Sequence, residues 1–78
     1  MPDFVTELDC RGQRCPLPVI NLAAAFNTLA LGEVVAVVAD DPAAGPDIQA
    51  WCRMKGQQYA GTDTASDGTP RYSVRRVV

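Results

Sequence analysis

Cys15 has the most distinctive chemical setting in this sequence. It follows Arg14, precedes Pro16 and Pro18, and comes directly before an apolar segment with helical spacing. Proline is tolerated at the first position of a helix, where its missing N–H would have no intrahelical partner. A residue before proline is pushed toward extended backbone, which is the conformation of an N-cap. The pattern therefore predicts a helix that begins at Pro16, with Cys15 as its N-cap and Pro18 in a stiff first turn.

A cysteine in that place can become a nucleophile. The positive end of a helix dipole lowers the pKa of a thiol below its ordinary value of about 8.5, and we expect Arg11 and Arg14 to add positive potential. The chain contains no histidine, which excludes activation by a paired imidazole base. We predict that Cys15 is a partly exposed, thiolate-prone nucleophile; the alternative is a buried, inert cysteine.

We expect simpler roles for the other two cysteines, Cys10 and Cys52. Cys10 is expected to be a strand-end cysteine, although a resolving thiol that forms a disulfide with Cys15 is an alternative. Cys52 shares an apolar helical side with Ile48 and Trp51, which indicates core packing. An odd number of cysteines is unlike the framework of a small secreted protein, and three scattered cysteines without histidine do not make a zinc site. We predict no metal and no cofactor.

Polar residues around Cys15 are predicted to shape the loop that presents it. Asp9 is expected to accept backbone N–H groups in the turn, and Gly12 to adopt a positive φ. Arg14, Pro16 and Pro18 complete the predicted support of this loop and of the helix start.

Two further groups of charged residues have a structural and a functional interpretation. Asp40, Asp41 and Asp47 are predicted to cap or complement the second helix rather than bind a metal. A second group is predicted to solubilise an exposed face or edge, with contact to an acidic partner as the alternative: Arg71, Arg75 and Arg76.

The hydrophobic pattern predicts six elements in the order strand, helix, strand, helix, strand, strand. The continuous β-branched run after Gly32-Glu33 is typical of a strand buried on both faces, and Asp67-Gly68 predicts a hairpin turn. The expected elements span residues 4–9, 16–30, 34–39, 47–55, 57–62 and 71–78.

This order predicts an α/β (α+β) two-layer sandwich in which two helices cover one face of a mixed four-stranded sheet. A chain of 78 residues is expected to form one domain, residues 1–78. With a net charge of −2 and no polybasic block, broad binding to nucleic acid or to an anionic membrane is not expected. No apolar run is long enough for a bilayer span, and the acidic N-terminus is unlike a signal peptide, so we expect a cytoplasmic location.

The sequence LDCRGQRCPLP at residues 8–18 resembles the leading motif of the TusA-like (SirA-like) sulfur-carrier family, a C-P-x-P preceded by D-x-x-G. The likeness continues through nearly the whole chain. Further landmarks in the same order and spacing are Gly32-Glu33, Asp40-Asp41-Pro42, Asp47-Ile48 and Trp51-Cys52. This resemblance implies a βαβαββ sandwich, like the C-terminal domain of a translation initiation factor.

The resemblance also implies a function. Cys15 would carry a persulfide, taking sulfur from a donor protein such as a cysteine desulfurase or a rhodanese and relaying it to an acceptor protein. Family routes include tRNA thiolation, molybdenum-cofactor maturation and sulfur oxidation. A carrier of this kind is a sulfurtransferase that needs an accessible nucleophilic sulfur and no elaborate pocket.

The chain departs from the family pattern in its polar residues. Gln13 stands where the family often has leucine, and Asn21, Ala24 and Ala25 stand where it often has basic residues. A basic docking surface for partner proteins is thereby reduced to Arg11 and Arg14. The alternative functions are a non-catalytic redox-sensing or regulatory module and, by fold analogy alone, an RNA-binding protein, which the acidic composition disfavours.

Overall fold

The computed structural model describes residues 6–14 and 16–78 of the chain. Its elements follow the predicted order, and the α+β sandwich is confirmed. They are β1 (Thr6–Asp9), α1 (Leu17–Phe26), β2 (Val34–Val38), α2 (Ala44–Lys55), β3 (Gln58–Thr64) and β4 (Pro70–Arg75).

The four strands form one mixed sheet in the order β1-β2-β4-β3. β1 and β2 are parallel, as expected for strands joined by a crossover helix, whereas β4 is antiparallel to both of its neighbours. β2 lies inside the sheet, and all five of its residues are buried, which confirms the prediction from its β-branched run. The carboxyl ends of β1 and β2 therefore meet at the same edge of the sheet.

The core lies between one sheet face and the two helices. Leu22 and Ile48 are fully buried there, and the rings of Phe26 and Trp51 meet edge to face with their centroids 5.1 Å apart. Burying a large apolar side chain contributes about 1.5–3 kcal/mol. At Gly45 there is little spare room, because a Cβ would meet the Tyr72 ring at 3.0 Å; α2 therefore lies directly against β4.

The structure corrects several predicted boundaries. α1 ends at Phe26 rather than at Leu31-Gly32, because the carbonyl of Ala25 accepts the backbone N–H and the hydroxyl of Thr28, which turns the chain. The remaining apolar positions of the predicted helix continue in this turn, where Leu29 is still buried. β3 runs on to Thr64, and β4 ends at Arg75. Residues 4 and 5 of the predicted first strand lie outside the described residues.

In the part of the chain that the structure describes, neither helix combines the length and the apolar character that a bilayer span requires.

Candidate functional site

The start of α1 lies one residue later than the sequence predicts. Pro16 has φ −99° and ψ 17° and is the N-cap, and Leu17 is the first helical residue. The carbonyl of Pro16 accepts the N–H of Ile20 at 3.0 Å, so Pro16 joins the hydrogen-bond ladder without adopting helical angles. Pro18 lies in the first turn as predicted, and it is buried. Cys15 lies outside the described residues, one position before the N-cap in sequence.

The first backbone N–H of α1 is engaged within the chain. The N–H of Leu17 donates to the carbonyl of Arg14 at 2.8 Å. Pro18 has no N–H, so neither of these two residues has a free backbone donor. The dipole of α1 still places partial positive charge at this end, although one of the N–H groups that carry it is engaged by Arg14.

Arg11 is held by two carboxylates. Its guanidinium contacts Asp9 at 2.9 and 3.0 Å and Asp67, in the turn between β3 and β4, at 2.7 Å. The hydrogen bond from Arg11 lowers the pKa of Asp9. Hydrogen bonds from the backbone N–H and then the side chain of Thr69, followed by that from Arg11, lower the pKa of Asp67 to about 2. Arg11 therefore does not supply the uncompensated positive potential that the sequence suggested.

The loop before Cys15 is a tight turn. The N–H of Gln13 donates to the carbonyl of Cys10 at 3.1 Å, and Gly12 has φ 78°, the positive value that the sequence predicts. Asp9 accepts the backbone N–H of Arg11 at 3.2 Å. A positive φ at the third residue of a four-residue turn is typical of type II and favours glycine.

Asp40 was predicted at the start of α2, and this is wrong. Its two carboxylate oxygens lie 3.1 and 3.2 Å from the backbone nitrogen of Gly12. At the start of α2, Asp41 accepts the N–H of Ala43 at 2.9 Å, and Asp47 lies in the first helical turn, as predicted for these two. Among the described residues, no three acidic or cysteine side chains are grouped to hold a metal ion.

Arg14 is exposed, as Arg11 is, but it differs from Arg11 in its partners. Within residues 6–14 and 16–78 its guanidinium has no ion-pair or hydrogen-bond partner. It borders a cleft of about 340 Å³ between the loops that follow β1 and β2, lined by Gly12, Gln13, Arg14, Asp40, Asp41 and Pro42. A cation at the rim of this cleft is available to an anionic group brought by a partner.

Both described cysteines are core residues. Cys10 is 1% exposed and Cys52 is 2% exposed, and burial raises the pKa of each thiol. Cys10 is thus the strand-end cysteine that the sequence predicts, and Cys52 the core cysteine. The alternative disulfide between Cys10 and Cys15 involves a residue outside the described ones and stays untested.

The whole chain, and not the cysteine loop alone, is similar to known proteins. A family model described as Sulfurtransferase TusA matches residues 6–76. The chain belongs to the TusA family.

Individual members agree with this assignment. A protein of Archaeoglobus fulgidus named as a candidate sulfur carrier is 35% identical over 91% of this chain and 92% of its own length. The sulfur carrier protein TusA of Allochromatium vinosum is 36% identical over 74% of this chain and 76% of its own length. The crystal structure of a SirA-like protein from Desulfitobacterium hafniense shares the fold, with a TM-score of 0.80 and 24% identity, and covers 95% of this chain and 100% of the other.

Two departures from the TusA-like pattern contact each other. The side-chain oxygen of Gln13 accepts a hydrogen bond from the amide nitrogen of Asn21 at 2.7 Å, and the same nitrogen lies 3.7 Å from the sulfur of Cys10. This contact ties the cysteine loop to α1. Sequence reasoning identified both residues as departures but gave no signal that they meet.

Three arginines near the C-terminus of this TusA-family chain make more contacts within the chain than the sequence predicts. Arg71 binds Asp63 at 2.6 Å and lies 3.6 Å from Glu7. Arg75 and Arg76 each donate to a backbone carbonyl at 2.7 Å, of Gly32 and Leu29 respectively, so they hold loops rather than simply solubilise an edge. None of these four contacts involves a residue of the loop before Cys15.

An apolar surface that the sequence did not reveal adjoins the start of α1. A groove of about 310 Å³ is lined by Pro16, Val19, Asp47, Ala50, Trp51 and Met54. Met54 is 74% exposed, and Leu17 and Ile20 are exposed beside the groove. Their grouping depends on how α1 and α2 pack together, which no local sequence pattern specifies.

Proposed function

We propose that this chain is a sulfur carrier in which Cys15 bears the transferred sulfur. The Cys15 thiolate attacks the terminal sulfur of a persulfide on a donor protein. A new S–S bond forms at Cys15, the donor S–S bond breaks, and the donor cysteine leaves as a thiolate. An acceptor cysteine then attacks the terminal sulfur of Cys15–S–SH in the same way, so the relay needs no external oxidant or reductant.

The burial of the other two cysteines carries this proposal. Cys10 and Cys52 are almost completely shielded from solvent, and their raised thiol pKa values oppose formation of the thiolate nucleophile. Cys15 is the third cysteine, and it stands in the C-P-x-P motif that marks the family. Membership of the TusA family supports a role in sulfur transfer for the chain as a whole.

The residues on both sides of Cys15 also support the proposal. α1 begins at Leu17, two positions after it, so the positive end of a ten-residue helix follows directly in the chain. Such a helix end stabilises thiolate and persulfide anions alike. With no histidine in the sequence, activation rests on this electrostatic environment.

We assign supporting roles to the surrounding residues. Asp9 and Gly12 shape the loop before Cys15, and Pro16 and Pro18 stiffen the start of the helix. Arg14 is a better candidate for docking a donor or acceptor protein than Arg11, whose charge is compensated by two carboxylates. A cysteine desulfurase or rhodanese-like donor, an acceptor sulfur-relay protein, a single TusA-like domain and a cytoplasmic location complete the proposed function.

Transfer of radiolabelled sulfur tests the proposal. A cysteine desulfurase and [35S]cysteine should label the wild-type chain under non-reducing conditions, and a rhodanese with labelled thiosulfate provides a second donor. Cys15→Ser should abolish the label, whereas Cys10→Ser and Cys52→Ser, as matched controls, should retain it. Equal labelling of the wild type and Cys15→Ser would refute the assignment.

The same variant distinguishes the alternative of a regulatory module without sulfur transfer. In that case Cys15→Ser would preserve function in cells, and the wild type would accept no label from either donor.

A further inference from the structure

Asp40 connects two loops that are distant in sequence. It follows Ala39 at the end of the buried β2 segment, and its carboxylate lies within 3.2 Å of the backbone nitrogen of Gly12. The two residues meet because β1 and β2 are parallel, with Asp9 opposite Val38, so that the chains leaving both strands emerge side by side. In open sheets, ligand and reaction sites form at such carboxyl ends of parallel strands.

The N–H of Gly12 needs a partner from outside its own turn. The turn is closed by the hydrogen bond from the N–H of Gln13 to the carbonyl of Cys10, which leaves the N–H of Gly12 unused. A hydrogen bond from a backbone N–H to a carboxylate is charge-assisted and stronger than one between neutral groups. Asp40 therefore fixes the turn at its middle, three residues before Cys15.

The other ties of this loop act at different points. Cys10 donates its N–H to the carbonyl of Val38 at 2.8 Å, and Gln13 is held by Asn21 at 2.7 Å. Among the described residues, Asp40 provides the long-range contact to the backbone at the centre of the loop, while the neighbouring Arg11 is tied to Asp9 and through its side chain to Asp67. It also forms one wall of the cleft that Arg14 borders, so the contact sets the spacing between the loop before Cys15 and the loop before α2.

We propose that Asp40 is a positioning residue for sulfur transfer, which holds Gly12 so that the following residues present Cys15 to donor and acceptor proteins. This inference rests on the proposed function. The hydrogen-bond acceptor is the required property, and the negative charge is not: a carboxylate at this cleft disfavours a nearby thiolate. Two variants distinguish these properties. Asp40→Asn keeps an acceptor oxygen but loses the negative charge, and Asp40→Ala loses both.

The test measures the rate of Cys15 persulfide formation from a cysteine desulfurase with [35S]cysteine. Asp40→Ala is expected to slow loading on the order of tenfold, because small misplacements of a reacting group have large effects on rate. Asp40→Asn is expected to stay within about threefold of the wild type, since it restores the hydrogen bond. Asp40 is exposed, so neither change leaves a cavity in the core.

Glu33→Ala is the matched control. Glu33 also accepts a backbone N–H, that of Ala30 at 2.7 Å, but at the opposite end of the sheet. Its loss is expected to leave loading unchanged even where it lowers the free energy of unfolding as much as Asp40→Ala does. If Glu33→Ala and Asp40→Ala slow persulfide loading equally, both act through a general loss of stability, and the positioning role is overturned.

The remaining outcomes test either the positioning role of Asp40 or the proposed function itself. If Asp40→Ala is loaded as fast as the wild type, the inference is overturned and the proposed function stands. The same holds if Asp40→Asn is loaded as slowly as Asp40→Ala. A wild type that is not loaded by any donor removes the proposed function itself. Should Asp40→Ala fail to fold, amide exchange at Gly12 in the wild type serves instead: protection supports the contact, and exchange at the rate of an unstructured amide contradicts it.

Discussion

The two ends of the sheet are held together by different side chains. At the cysteine end, which comprises residues 9–14 and 40–43 with the turn at 65–69, carboxylates accept hydrogen bonds: Asp40 from Gly12 and Asp67 from Arg11. At the far end, which comprises residues 27–33 and 75–78, the guanidinium groups of Arg75 and Arg76 donate to backbone carbonyls, beside the carboxylate of Glu33, which accepts a backbone N–H.

This difference determines which charges remain available. At the far end Arg75 and Arg76 are engaged by the carbonyls of Gly32 and Leu29, in the connection between α1 and β2. At the cysteine end Arg11 is engaged by acids, and Arg14 stays unpaired within the described residues. The comparison indicates that the far end serves stability, whereas the cysteine end combines a fixed loop with one uncompensated cation.

Replacing Arg76 should have the largest effect on stability. Its guanidinium donates to the partly buried carbonyl of Leu29 and lies 5.9 Å from the centroid of the Phe26 ring. Hydrogen bonds to charged groups and cation–π contacts together predict that Arg76→Ala lowers the free energy of unfolding by about 2 kcal/mol. Urea unfolding followed by circular dichroism measures the change.

Arg75→Ala is the matched control for this prediction, because Arg75 makes a carbonyl contact of the same length in an exposed position. We expect a loss of less than about 1 kcal/mol. A loss in Arg76→Ala no greater than that in Arg75→Ala would show that the contact with Phe26 and Leu29 adds nothing.

Replacing Arg14 should have an intermediate effect, on the reactivity of Cys15. Because Arg14 is adjacent in sequence and has no partner among residues 6–14 and 16–78, Arg14→Ala should raise the midpoint of the pH dependence of iodoacetamide alkylation by about half a pKa unit. Arg11→Ala should shift it less, since Asp9 and Asp67 already compensate the Arg11 charge. Alkylation is followed by mass spectrometry on a Cys10→Ser, Cys52→Ser background, and a larger shift in Arg11→Ala than in Arg14→Ala would reverse our assignment.

Asp67 should make a small contribution that depends on pH. Its pKa is lowered from 3.8 to about 2 in the folded state, so its stabilising effect is present above pH 4 and is lost as the pH falls toward 2. Urea midpoints measured between pH 5 and pH 2 should fall less steeply in Asp67→Asn than in the wild type. Arg11→Ala should also flatten the slope, because it removes the largest cause of the lowered pKa of Asp9 together with part of the shift of Asp67; identical slopes in all three proteins would contradict this.

Local pattern was enough to predict the architecture and the landmarks of the site. The β-branched run of β2, the helical spacing after Pro16 and the Asp67-Gly68 turn each depend on residues close in sequence, and the structure has all three elements. The start of α1 was misplaced by one residue, because a proline can serve as N-cap as well as first helical residue.

The ties that fix the cysteine loop could not be predicted in the same way. The bonds from Gly12 to Asp40 and from Arg11 to Asp67 join residues separated by 28 and 56 positions. Their meeting depends on the strand order β1-β2-β4-β3 and on a parallel register, which no local pattern specifies. In sequence, an aspartate before a helix is typical of a cap. That Asp40 instead accepts the N–H of Gly12 depends on β1 lying beside β2.

The shielding of Cys10 and Cys52 makes each thiol a reporter of motion. Cys10 lies where β1 meets α1, and Cys52 lies on the inner side of α2, so a reagent reaches each one only when that part of the molecule opens. Site-resolved alkylation over time would therefore give two separate opening rates from one unlabelled chain. Their ratio would reveal whether the helices lift away from the sheet together or one at a time.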